Sequence, residues 1–92
     1  QADPFGSFQN GETVRITFAN DTSFPHGIHL HGHHFYEVDE YGILGDLRDT
    51  TLVNAGESRD VICVFDNPGR WLLHCHMLSH AVGGMRTWVN VA

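Results

Sequence analysis

From Glu12 to Ala19 the chain alternates, with Val14, Ile16 and Phe18 on one side and Thr13, Arg15 and Thr17 on the other. A period of two is the mark of a strand with one buried face. Residues 30–38 read as another strand, carrying a histidine-rich stretch into Phe35 and Val38, and further strands are expected at 50–53, 60–65, 70–76 and 86–91. Asn10-Gly11, Tyr41-Gly42, Ala55-Gly56 and Asn67-Pro68-Gly69 punctuate these runs as turns. Short strands at this spacing predict an all-β, two-sheet sandwich. Only residues 77–82 lean towards helix, and a short turn is expected there. There is no internal repeat, linker or low-complexity segment.

With 92 residues there is room for one core, so 1–92 reads as a single domain. A chain of that size buries a modest share of its surface, which favours added stabilisation by a metal or a partner subunit. The formal charge of −6 argues against nucleic acid as a partner. The acidity itself reads as a solubility device. No run approaches the ~20 apolar residues of a membrane-spanning helix, and no basic-then-apolar leader opens the chain. It begins at Gln1 as though a leader, or the rest of a longer enzyme, had been removed.

The histidines change this picture. Near the C-terminus the chain reads His74-Cys75-His76, then His80, then Met85. Side chains alternate along a strand, so His74 and His76 share one face and Cys75 takes the other. A turn can bring Cys75, His80 and Met85 round one ion. Upstream, His26-Gly27-Ile28-His29-Leu30-His31-Gly32-His33-His34 repeats the logic: His29 and His31 share a face, and His26, of opposite parity, can join Cys75 and His80. Two groups result. His26, Cys75, His80 and Met85 make a type 1 (blue) copper site, in which thiolate and imidazoles with a weak thioether suit both copper oxidation states. His29, His31, His74 and His76 are all imidazole and suit copper doing oxygen chemistry. Zinc also accepts Cys and His, but a closed zinc site has no use for the Met or for a His-Cys-His run that straddles a strand.

Both segments resemble the H-P-x-H-x-H-G-H and H-C-H-x-x-x-H-x-x-x-x-M motifs of the C-terminal domain of multicopper oxidases, the laccase-like enzymes. They appear here as HGIHLHGH and HCHMLSHAVGGM, and the likeness extends through Arg48-Asp49-Thr50 and Asn67-Pro68-Gly69-Arg70-Trp71. The resemblance implies a Greek-key cupredoxin fold. It also implies type 1 copper at His26, Cys75, His80 and Met85, type 2 copper at His29, and a type 3 pair at His31, His74 and His76. Electrons from a small reducing substrate, approaching the type 1 site at the His80 edge, would pass through Cys75 to His74 and His76 and on to dioxygen. Periplasmic or secreted localisation is expected on the same ground. One departure stands out: Gly27 replaces the usual Pro, changing no ligand but loosening the backbone beside His26.

The chain matches only half of the imidazoles such a cluster takes. It is therefore expected to be a C-terminal fragment of a longer oxidase, to pair with a separate chain carrying another cupredoxin domain, or to face a second copy of itself. The alternative reading is a stand-alone blue-copper electron-transfer or copper-binding protein without oxygen chemistry, which would have no use for the four-imidazole set. The remaining residues read as structural. Cys63, in an apolar run, is expected in the core, since a disulfide to Cys75 would consume the copper thiolate. Trp71 is expected to pack beneath the copper strand. His33 is assigned to structure or to supporting hydrogen bonds, His34 to a polar position near the type 1 face, and Asp49 to a turn or strand edge rather than to proton delivery.

Overall fold

The computed structural model describes residues 4–77 and 83–92, the side chains of 76, 77 and 83–85 excepted. Nine strands run in chain order: β1 (Gly6–Phe8), β2 (Glu12–Ala19), β3 (His26–Leu30), β4 (Phe35–Val38), β5 (Leu44–Arg48), β6 (Thr50–Val53), β7 (Ser58–Phe65), β8 (Gly69–Met77) and β9 (Gly83–Val91). They form a five-stranded sheet, ordered β1-β9-β8-β3-β6, and a four-stranded sheet, ordered β2-β7-β4-β5. Among the described residues only β1 and β9 pair in parallel. No helix occurs among the described residues, and the architecture is the Greek-key cupredoxin sandwich expected from the sequence. The segment 78–82 lies outside the described residues, so the turn expected over 77–82 is described only at Met77, the last residue of β8.

Alternation fixes which side chains fill the space between the sheets. Ile16 and Phe18 come from β2, Ile28 and Leu30 from β3, Val61, Cys63 and Phe65 from β7, Leu73 and Cys75 from β8, and all are buried. The facing sheet excludes water from these side chains, and apolar burial of this kind is the main favourable contribution to folding. Truncating a fully buried member such as Leu73 to Ala costs about 2–5 kcal/mol.

Two expectations need correction. Residues 30–38 are not one strand: β3 ends at Leu30, and β4 begins at Phe35 in the other sheet. The break falls at Gly32, whose φ of +78° an extended strand does not use. The first five residues of the histidine motif, from His26, therefore form β3, and His31 follows in the turn and His33 just after it. The sequence reading also missed β5. Every residue of β5 is exposed, so this edge strand has no buried face to create an alternation.

Candidate metal centre

The register between β3 and β8 decides the site. Ile28 pairs with Cys75, His29 with His74, and Gly27 with His76. Directly paired residues of an antiparallel ladder project to the same face. His26 and Cys75 therefore share the face turned to the core, where Cys75 is buried, while His29, His31 and His74 take the opposite face.

On that outer face the structure brings three imidazoles together. His29, His31 and His74 each offer a ring nitrogen, and these nitrogens all lie within 4.8 Å of one another. The Nε2 atoms of His31 and His74 are 3.3 Å apart. His76 continues the row by backbone register, opposite Gly27, and its side chain lies outside the described residues. Imidazole nitrogens converging without a carboxylate suit copper or zinc and are poor ligands for calcium or magnesium.

The Arg48-Asp49-Thr50 stretch sets the orientation of His29. Asp49 is the single residue between β5 in one sheet and β6 in the other, so the chain changes sheet at that corner. The Asp49 carbonyl accepts the Leu30 amide at 3.1 Å and the His29 Nδ1–H at 3.0 Å. A carbonyl only accepts, so Nδ1 carries the proton and the Nε2 lone pair is left for a metal. The Thr50 hydroxyl, 3.0 Å from Nδ1, donates its own proton to the Asp49 carboxylate. The corner is pinned on both flanks: Arg48 pairs with Glu37 at 3.3 Å, and the buried Thr51 hydroxyl donates to the same carboxylate.

The core-facing side is a partly open pocket, with Phe5 and Thr22 exposed at its edge. His26 and Cys75 line a cavity of about 340 Å³ with Phe5, Phe18, Ile28 and Val53. Met85 is on β9, the strand paired with β8. The register there shifts by one, from His74↔Arg86 to His76↔Gly83, so Gly84 and Met85 stand together opposite Cys75. Sheet pairing across a bulge therefore brings Met85 beside Cys75, a device that re-aims side chains at functional sites. The turn expected to bring Cys75, His80 and Met85 together falls in 78–82, outside the described residues. The side chain of Met85, and all of His80, lie outside the described residues.

A multicopper oxidase family model matches residues 4–92. The chain belongs to that family. It is 42% identical over 81 residues to copper resistance protein A of Escherichia coli, covering 88% of this chain and 13% of that protein. It is 40% identical over 77 residues to multicopper oxidase MmcO of Mycobacterium tuberculosis, covering 84% of this chain and 15% of that one. Among solved structures, Lac15 from a marine microbial metagenome superposes with a TM-score of 0.91 at 65% identity, over 99% of this chain and 24% of Lac15. The chain thus spans a minor part of each of these relatives. Copper is the cofactor of the family, and the donors described, the Cys75 sulfur with the His26 imidazole on the core side and imidazoles alone outside, fit it.

Other letters of the two multicopper oxidase motifs have structural reasons. A Cβ on Gly32 would sit 2.4 Å from the Trp71 ring, so only glycine lets the indole close over the turn after His31. The indole Nε1–H donates to the Asn67 carbonyl at 2.8 Å, the Asn67 side chain donates to the Gly32 carbonyl at 3.0 Å, and the Asn67 amide donates to His33 Nε2 at 3.3 Å. His33 is buried and works as part of this knot. Trp71 packs against the core as expected. Gly27 is paired on both sides, with Leu52 and His76, so two ladders confine the freedom expected of it. His34 corrects its expectation: it lines a groove on the outside of the four-stranded sheet with Tyr36, Leu47 and Val64, away from the cavity at His26. Neither Cys63 nor Cys75 is in a disulfide. Burial, with the Asp66 charge adding to it, pushes the Cys63 thiol up to about 12, as suits an inert core residue.

Proposed function

We propose that this chain is the C-terminal cupredoxin domain of a laccase-like multicopper oxidase, with His26, Cys75, His80 and Met85 as type 1 ligands. On the outer face we assign His29 to type 2 copper and His31, His74 and His76 to the type 3 pair. The observation that carries the reading is the β3–β8 register, which separates Cys75 from His74 by one residue and by the thickness of a single sheet. Copper held on the two faces supplies one-electron transfer and dioxygen reduction. The chain's own part is to insulate, aim and connect. Ile28, Phe18 and Val53 wall the thiolate side with apolar surface. The Asp49 carbonyl aims His29. The peptide bonds flanking Cys75 join its thiolate covalently to the imidazoles of His74 and His76, a short path for an electron.

The missing imidazoles are assigned to another cupredoxin domain of the same enzyme, a reading supported by the small share of each relative that this chain spans. A small reducing substrate would deliver electrons on the type 1 side. The family likeness carries an expectation of periplasmic or extracellular location, and among the described residues no helix is long and apolar enough to cross a membrane.

Titrating the metal-free chain with Cu(II), while following visible absorption, tests the reading. An intense blue band that saturates at one equivalent, followed by further colourless uptake, is the expected result. Absence of the blue band overturns it. Light scattering on the copper-loaded chain tests how the cluster is completed, a monomer being expected and a dimer pointing to a second copy.

A further inference from the structure

The loop before β3 holds an arrangement that the copper ligands alone do not explain. Asn20 is buried, 7% exposed, and its orientation is fixed because its amide nitrogen donates to two carbonyls, Phe24 at 2.7 Å and Val53 at 3.0 Å. Its oxygen must then face Thr22, where it accepts the backbone N–H at 3.0 Å and the hydroxyl at 2.6 Å. A threonine hydroxyl has one proton. With that proton given to Asn20, the Thr22 oxygen acts as acceptor towards His26 Nε2, 3.0 Å away. The Phe24 carbonyl, also 3.0 Å from the hydroxyl, leads to the same conclusion were it to take the proton. With the hydroxyl proton on either of these two oxygens, Nε2 of His26 carries the hydrogen and Nδ1 keeps the lone pair.

We infer that Thr22, aligned by Asn20, is the positioning residue of the inner copper site. It locks His26 in the Nε2–H tautomer and offers Nδ1 to the metal held with Cys75. The inference rests on the type 1 reading above and extends it to two residues outside the ligand motifs. Fixing the far nitrogen of a ligating imidazole sets both ring orientation and basicity, and removing such a partner costs roughly 10–100-fold in metal affinity. Asn20 and Thr22 also line the cavity shared by His26 and Cys75, so the strut and the site are one structure.

Two measurements on the 92-residue chain test this. Long-range ¹H–¹⁵N correlation of the imidazoles in the copper-free protein reads the His26 tautomer directly and needs no variant. Nε2–H is expected, and Nδ1–H overturns the inference even where the protein turns blue. The second compares copper titrations of the wild type, Thr22→Val and Thr22→Ser, with circular dichroism checking the fold. Thr22→Val is expected to weaken blue-copper binding about 10–100-fold and to move the blue band. Thr22→Ser should restore both, and uptake on the outer face should stay unchanged. A Thr22→Val protein with wild-type band and affinity overturns the positioning role. A wild type with the Nε2–H tautomer but no blue band instead overturns the type 1 reading, and the positioning role with it.

Discussion

The two faces of the β3–β8 ladder carry the same residue type under opposite instructions. His26, on the core side, is hydrogen-bonded to Thr22 at Nε2, and His29, three residues on and facing outward, to the Asp49 carbonyl at Nδ1; on the proposed reading each offers its other nitrogen to copper. The inner site is roofed by the second sheet and by the loop carrying Asn20 and Thr22, so its walls come from this chain. The outer imidazoles stand on a face that no second sheet among the described residues covers, with His31 exposed. On the proposed reading, a relay set between the sheets can be built within one sandwich, whereas a cluster on an outer face needs a cover brought by another domain.

Cys75→Ser separates the faces most sharply. The blue band should vanish entirely while copper still binds at His29, His31 and His74, and retained colour would show that Cys75 is not the thiolate ligand. The reciprocal variant, His29→Ala with His74→Ala, should leave the blue equivalent intact and abolish the colourless uptake, read as copper bound per chain; loss of the blue band as well would mean the faces are not independent. Gly32→Ala asks whether the knot behind His31 is structural. A Cβ against the Trp71 ring at positive φ should cost about 1–3 kcal/mol in denaturant unfolding, and an unchanged midpoint would deny the close contact.

The last effect concerns the Cys63 thiol and is absent at neutral pH. Cys63 holds its proton up to about 12 when folded, whereas an unfolded cysteine loses it near ~8.5. Between those values the unfolded chain binds fewer protons than the folded one, so the Cys63 contribution makes stability fall as pH rises through that window and is silent below it. Copper-free Cys63→Ala should show a shallower alkaline decline in unfolding free energy, and an identical slope would contradict the burial argument.

Much of the site was legible in the letters because strand parity is a local property. A His-x-His pair and a His-Cys-His run commit their side chains to faces before any tertiary contact forms. The sequence marked the boundaries less well. The strand expected over 30–38 breaks at Gly32 because Trp71, nearly forty residues away, occupies the space a side chain would need. β5 was invisible because nothing covers it. Thr22 and Asn20 carried one faint signal, an Asn-Asp-Thr turn whose last member, Thr22, lies four residues ahead of His26. Their effect on His26 depends on where the Phe24 and Val53 carbonyls stand.

The sequence by itself determined the donor types, their division between two faces and the all-β class, since each follows from period-two alternation and the chemistry of single side chains. The tertiary structure alone decided which faces meet. Pairing of β3 with β8 set His29 against His74, the bulge on β9 brought Met85 opposite Cys75, and the Asp49 corner and the Asn20–Thr22 strut set which nitrogen of His29 and of His26 is hydrogen-bonded. Those outcomes depend on hydrogen bonds between segments far apart in the chain, or on a proton placed by a neighbour's orientation, and no local pattern encodes them.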